Sequence, residues 1–208
     1  MLRYPIGLCF VLLFLTGCTS SRVHIPDTRY YTLEYDSPEF SGAPLPVSIT
    51  LNRFDVAPEF GTPKMIYRDL AFGRQEYAYH RWRATPQVLV QDYLRRDMIA
   101  SKLFLAVKGP GSSIPSMYIV EGMVEEWMEL DEEDGWLATA ELTITLLNAR
   151  VRHIPDLVIF QRQFKASEPC AKKNPGSVAE AMSRVMSRLS AQIIADIHQA
   201  IVDHQGKL

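Results

Sequence analysis

"MYIVEGMVEEWMELDEEDGWLATAELTITLLNARV", residues 117–151, is the stretch from which the rest of the chain is best read. Its halves, Met117 to Leu130 and Gly135 to Val151, read as two long strands facing each other across an acidic turn that ends in Asp134-Gly135, a hairpin signal. The acids Glu125, Glu126, Glu129, Asp131, Glu132, Glu133 and Asp134 read as a solvated hairpin tip with some capacity for electrostatic docking. "DEEDGW" lacks the alternating acids and the distal glutamate that a calcium loop of the EF type requires.

Outward from this hairpin the same period continues. "LVIFQRQFKA" supplies another strand, and "VSITL", Val47 to Leu51, puts Val47, Ile49 and Leu51 on one face and Ser48 and Thr50 on the other. "YYTLEY", "KMIYRDL", "QEYAYHRW" and "KLFLAVK" are further extended pieces, and the Gly109 to Ser113 run is a loop. Thr85-Pro86 opens a helix, with Thr as N-cap and Pro at the first helical position, and Val88, Leu89, Leu94 and Ile99 form its apolar side. Ser177-Val178-Ala179-Glu180 has the form of a capping box. Behind it Val178, Met182, Val185, Leu189, Ile193, Ile197 and Ile201 recur at helical spacing, which predicts a long C-terminal helix on the sheet. The order predicts one α/β domain: a mixed β-sheet with at least two packed helices.

The beginning of the chain has a different character. One positive charge, Arg3, precedes the apolar run "IGLCFVLLFL", Ile6 to Leu15, which has the size of a secretory h-region and is short of the roughly 20 residues a bilayer span requires. Leu15-Thr16-Gly17-Cys18 follows and resembles the lipobox of bacterial lipoproteins. That resemblance implies that residues 1–17 are a signal peptide, that Cys18 becomes the first mature residue, and that it carries a diacylglycerol group and an acyl chain such as palmitate. Several chains on one cysteine anchor a protein stably where one chain does not. Thr19 stands where an Asp commonly retains such proteins in the inner membrane, so the resemblance favours the periplasmic face of the outer membrane. Residues 18–27 read as an acylated tether and 28–208 as the domain.

Composition narrows the function. Of 22 basic and 24 acidic residues, loss of Arg3 leaves 21 against 24, a balance of −3, which gives no basis for nucleic-acid binding through phosphate neutralisation. His24, His80, His153, His198 and His204 show no metal-ligand spacing, no serine stands in a nucleophile elbow, and the Gly109 to Ser113 loop lacks the lysine of a phosphate-binding loop. No cofactor and no enzymatic activity are therefore expected. With Cys9 removed and Cys18 modified, Cys170 is left without an intramolecular disulfide partner. It lies in "SEPCAKKNPG", where Lys172 and Lys173 favour the thiolate, and it reads either as a tolerated loop cysteine or as a reactive or bridging thiol.

The segment "YRDLAFGRQEYAYHRWRATP", Tyr67 to Pro86, crowds five aromatic side chains with four arginines. Such composition suits a partner surface with cation–π stacking; equally, alternate aromatics in strands are core and the arginines face solvent.

"YYTLEY" after a lipobox and short tether, then "ITLNRFDVAPEF", "MIYRDL", "YAYHRW", "TPQVLVQDYL" and the late "YIVEGMVEEW" strand together resemble the ABC-type transport auxiliary lipoproteins. The resemblance covers roughly residues 28 to 203. It implies a non-enzymatic component of an MCE-type lipid-transport system, whose partners are a periplasmic MCE-domain protein and its ABC permease and ATPase. A ring-like homo-oligomer would match the symmetry of an MCE ring. Cys18 is the implied anchor, and Tyr67, Arg68, Tyr79 and Trp82 are the implied partner-facing or fold-defining cluster. An outer-membrane assembly lipoprotein, serving barrel-protein or lipopolysaccharide insertion, is the alternative that shares the anchor and the compartment.

Overall fold

A computed structural model describes residues 26–206 except Leu70, Ile114 and Arg152. In chain order the elements are β1 (Arg29–Tyr31), β2 (Leu45–Leu51), β3 (Asp55–Val56), β4 (Lys64–Arg68), β5 (Gln75–Trp82), α1 (Pro86–Ala100), β6 (Phe104–Lys108), β7 (Tyr118–Glu132), β8 (Gly135–Asn148), α2 (Ile154–Leu157), β9 (Val158–Pro169) and α3 (Pro175–Gln205). The expected mixed sheet with a long C-terminal helix is present, and all nine described strands belong to it.

β7 and β8 are the hairpin, paired antiparallel from Tyr118 opposite Asn148 to Glu132 opposite Gly135. β9 continues the sheet antiparallel beyond β8. The other edge of β7 is shared end to end by three strands, all parallel to it: β2 at Tyr118 to Val120, β3 at Met123 and Val124, and β4 at Glu129 and Leu130. The sheet therefore forks. One branch runs β7-β2-β6, the other β7-β4-β5-β1, with β1 parallel to β5. The two-residue β3 was not anticipated from sequence, because a strand that short carries no alternation to read.

A register shift between Val124 and Glu126 sets the inward face of β7. Before it the buried positions are Tyr118, Val120 and Val124; beyond it Trp127 and Glu129 take over that face, opposite buried Ala140 and Ala138, and Met128 is buried on the other face, opposite Thr139. One extra residue in a strand reverses which alternate set points inward. Gly122 lies where Phe54 crosses β7, and a Cβ there would fall 2.4 Å from the Phe54 ring, so any larger residue forces that ring to move.

α3 packs on β8, β9 and α1, and α1 packs on β6 and β7. Val178, Met182, Val185, Leu189, Ile193, Ile197 and Ile201 are all buried, as their spacing requires. Two local expectations are corrected. The N-cap of α3 is Asn174, whose side chain accepts from the Ser177 N–H at 3.0 Å with Pro175 in the first turn, so the capping box at Ser177 does not form and Glu180 pairs with Arg184 instead. In α1 the buried face is Leu89, Val90, Leu94 and Met98, whereas Val88 and Ile99 are exposed. Thr85 does occupy the N-cap position, but its side chain makes no capping bond.

Asp97 of α1 is fully buried and ties the layers together. It accepts hydrogen bonds from the hydroxyls of Tyr35 (2.8 Å), Ser37 (2.7 Å) and Ser190 of α3 (2.6 Å), and from the Arg96 guanidinium (2.9 Å). Arg96 in turn lies over the stacked rings of Tyr35 and Tyr93, 4.4 and 4.6 Å from their centroids. Burial and the neighbouring Asp97 carboxylate push the Tyr35 phenol well above its usual range. A buried carboxylate persists only when its oxygens are this fully satisfied.

Candidate functional surface

The aromatic and arginine segment forms the β4–β5 hairpin and the start of α1, and the structure divides its members among different environments. Trp82 is 2% exposed, its ring edge-on to Trp127 at 5.8 Å, and its backbone N–H donates to the Pro63 carbonyl at 2.6 Å. It is core, which of the two readings offered for this residue is the fold-defining one. Tyr67 and Arg68 are half-buried where β4 meets β7, with the Tyr67 ring 4.9 Å from that of Tyr77. Tyr79 is 37% exposed and Phe72, at the hairpin tip, fully so. Cys18 lies outside the described residues.

Beneath the hairpin is a buried acid that sequence reading assigned to solvent. Glu129 is 1% exposed and both its carboxyl oxygens accept from the Tyr77 hydroxyl, at 3.1 and 3.0 Å. Burial, and secondarily a hydrogen bond with Asp131, raise its pKa from 4.5 to about 8, so it is predominantly protonated at neutral pH. The expectation of a solvated acidic tip holds for Glu132, Glu133 and Asp134, which are exposed, and fails for Glu129. The missed signal was the spacing Trp127, Glu129, Asp131: three alternate residues of one strand share a face.

Cys170 is half-buried next to the same strands, with its N–H bonded to the Trp136 carbonyl at 2.8 Å. Burial first, and then Glu129, push its thiol up to about 11. The thiolate favoured by Lys172 and Lys173 on sequence grounds is therefore disfavoured, and with it a reactive thiol.

A second neighbourhood lies on the outer branch of the sheet. Tyr31 and His80 meet across β1 and β5, hydroxyl to Nδ1 at 2.9 Å, and burial together with Arg29 lowers the His80 pKa. Around them two shallow cavities adjoin. One, of about 550 Å³, is lined by Pro26, Asp27, Arg29, Tyr79 and His80; the other, of about 520 Å³, by Arg29, Tyr30, Tyr31, His80 and the Asn174-Pro175-Gly176 start of α3. Among the described residues no group of three His, Cys, Asp or Glu side chains converges as a metal site requires, and no helix is long and apolar enough to cross a membrane.

These features match known proteins as follows. A family model described as an ABC-type transport auxiliary lipoprotein component matches residues 31–194. Among curated proteins none matches the chain. Protein XCC0632 from Xanthomonas campestris, of family DUF330, has a similar fold, with a TM-score of 0.77 at 16% identity over 86% of this chain and 99% of that one. The hypothetical protein CT253 from Chlamydia trachomatis is similar at a TM-score of 0.55 and 12% identity, over 76% of this chain and 98% of that one.

Proposed function

The chain belongs to the ABC-type transport auxiliary lipoprotein family, and on that premise we propose that it is a non-enzymatic, acylated component of an MCE-type lipid-transport system. In this reading Cys18 holds it to the periplasmic face of the outer membrane. Its partners are an MCE-domain protein and the associated permease and ATPase, and the cargo is a phospholipid or a related hydrophobic molecule carried mainly by the MCE partner.

The observation that carries the proposal is the family match over residues 31–194 directly behind the Leu15 to Cys18 lipobox. The site geometry agrees with it: Glu129, whose carboxyl burial pushes up to about 8, is 1% exposed and closed to substrate. Within the aromatic and arginine cluster, Trp82 serves the fold, and the exposed Tyr79 is the member most available for contact, with Tyr67 and Arg68 partly available.

Two measurements test the proposal. Metabolic labelling with an alkyne analogue of palmitate should mark the wild type and not Cys18→Ala. Cross-linking in native membranes followed by mass spectrometry should recover an MCE-domain protein with its permease or ATPase. Recovery of barrel-assembly or lipopolysaccharide-insertion components instead would overturn the transport reading.

A further inference from the structure

The tether enters the domain at one place, and that place has a distinctive surface. Pro26, Asp27 and Arg29 line a cavity together with Tyr79, so the chain arrives from Cys18 at the β1–β5 branch of the sheet. Seven residues lie between Cys18 and Pro26, and a trans chain over those eight Cα-to-Cα steps spans at most about 29 Å. Whichever side of the domain carries this entry therefore stays close to the layer that holds the acyl chains.

Side chains around the entry have the composition of a headgroup contact. Tyr30 is 61% exposed and Tyr79 37%, two amphipathic rings beside the first described residues. β1 pairs parallel with β5, Tyr30 opposite Arg81 and Tyr31 opposite Trp82, so Tyr30 and Arg81 share the side that faces away from buried Trp82. Arg83 is exposed just past the end of β5, Arg29 is exposed on the other side of the β1 edge from Tyr30, and the adjoining cavity reaches Asn174, which Lys172 and Lys173 precede on an exposed loop. Asp27 is the acid among these entry residues, and Glu76, at the far end of β5, pairs with Lys64. A chain with a balance of −3 after Cys18 thus gathers cations and tyrosines at the point where its anchor attaches.

We propose that the β1 edge of the sheet, where Arg29, Tyr30, Tyr79, Arg83, Lys172 and Lys173 gather from both sides of the strand, docks on the lipid surface that holds Cys18, with the tyrosine rings at headgroup depth and the cations on anionic headgroups. The proposal rests on the acylation of Cys18. Tyrosine is enriched at membrane–water interfaces because its ring is apolar and its hydroxyl wet, and Lys or Arg near an anionic surface each add attraction. Docking would fix the orientation of α3: its first residues sit beside Tyr30, and its 31 residues extend about 46 Å, so its far end points away from the contact.

The test uses the full acylated chain in vesicles of phosphatidylethanolamine and phosphatidylglycerol. In a Cys170→Ser background, a fluorophore is attached at Tyr30→Cys or at Val202→Cys, an exposed position about 40 Å along α3 from its start. Phospholipids with a nitroxide on the headgroup should quench the fluorophore at position 30 and spare that at position 202. Removing Arg29, Lys172 and Lys173 together by Ala substitution should lower the docked population by roughly fivefold per charge. Equal quenching at both positions would overturn the proposal, because the domain would then have no preferred face. Shielding at position 30 that requires an added MCE-domain protein would also overturn it, by assigning this face to a protein. If the chain fails to float with the vesicles, the acylation reading fails and the docking proposal with it; if it floats and shows no quenching, only the docking proposal fails.

Discussion

Glu129→Gln separates a buried, protonated carboxyl from an ordinary surface acid. In the folded chain the Glu129 pKa is raised from 4.5 to about 8. A raised value means that the folded state keeps a proton which the unfolded chain releases above 4.5. The stability this group contributes is therefore fully present below pH 4.5 and is lost as pH rises through about 8. Between those limits the loss is about 1.4 kcal/mol per pH unit. From about pH 5.5 to about pH 8 it amounts to about 3 kcal/mol, allowing for the partial ionisation of Glu129 in the folded state at the upper end. The glutamine amide keeps an acceptor for the Tyr77 hydroxyl and a donor for Asp131, so the variant should fold. Urea unfolding followed by tryptophan fluorescence, with Trp82, Trp127 and Trp136 as reporters, should show that wild type loses about 3 kcal/mol more than Glu129→Gln over that range. The remaining titratable groups are common to both proteins and largely cancel in the difference. Identical pH dependence in the two would refute the assignment of Glu129 as a buried acid.

Trp82→Ala should destabilise the domain by about 3–5 kcal/mol in urea titrations, as a buried indole packed on Trp127 requires; an unchanged midpoint would return Trp82 to the surface. Gly122→Ala should cost about 1–3 kcal/mol because its Cβ meets the Phe54 ring, and adding Phe54→Leu should recover part of that loss; additive losses would deny the close approach. Asp97→Ala should cost about 3–5 kcal/mol by stranding the Arg96 guanidinium and three hydroxyl donors, with the loss read from the same titrations; an effect under about 1 kcal/mol would show that the network contributes little. Asn174→Ala should cost about 1 kcal/mol and raise amide exchange in the first turn of α3, whereas Ser177→Ala should spare that turn.

The hairpin and the long helix were legible because their signals are local and repeated. β7 and β8 alternate over many residues, and the seven apolar positions of α3 recur at a period that no strand would produce. The position of α1 is legible as well, but its spacing does not show that Val88 and Ile99 are exposed, since apolar side chains are common on surfaces and the stripe in this helix is interrupted by the buried Asp97. The capping residue of α3 was missed because Asn174-Pro175 and Ser177 to Glu180 both have the form of a helix start. Proline's fixed φ at the first turn favours the earlier one.

The buried acid and the entry face were illegible for a different reason: both depend on pairings between segments distant in sequence. Glu129 is inward because one register shift reverses the alternation of β7, and Tyr77 reaches it only because β4 lies parallel to β7 with β5 beside β4. Nothing in "VEEWMELDEE" marks the position of the shift, so extending the alternation from Val120 and Val124 places Glu126 inside and Trp127 and Glu129 outside. The entry face likewise arises when a three-residue β1 adds parallel to β5 and brings Arg29 and Tyr30 beside Tyr79 and the loop before α3, across separations of about 50 and about 145 residues. A tether sequence can say how far a domain lies from its anchor, but only the pairing of its first strand says which face it presents.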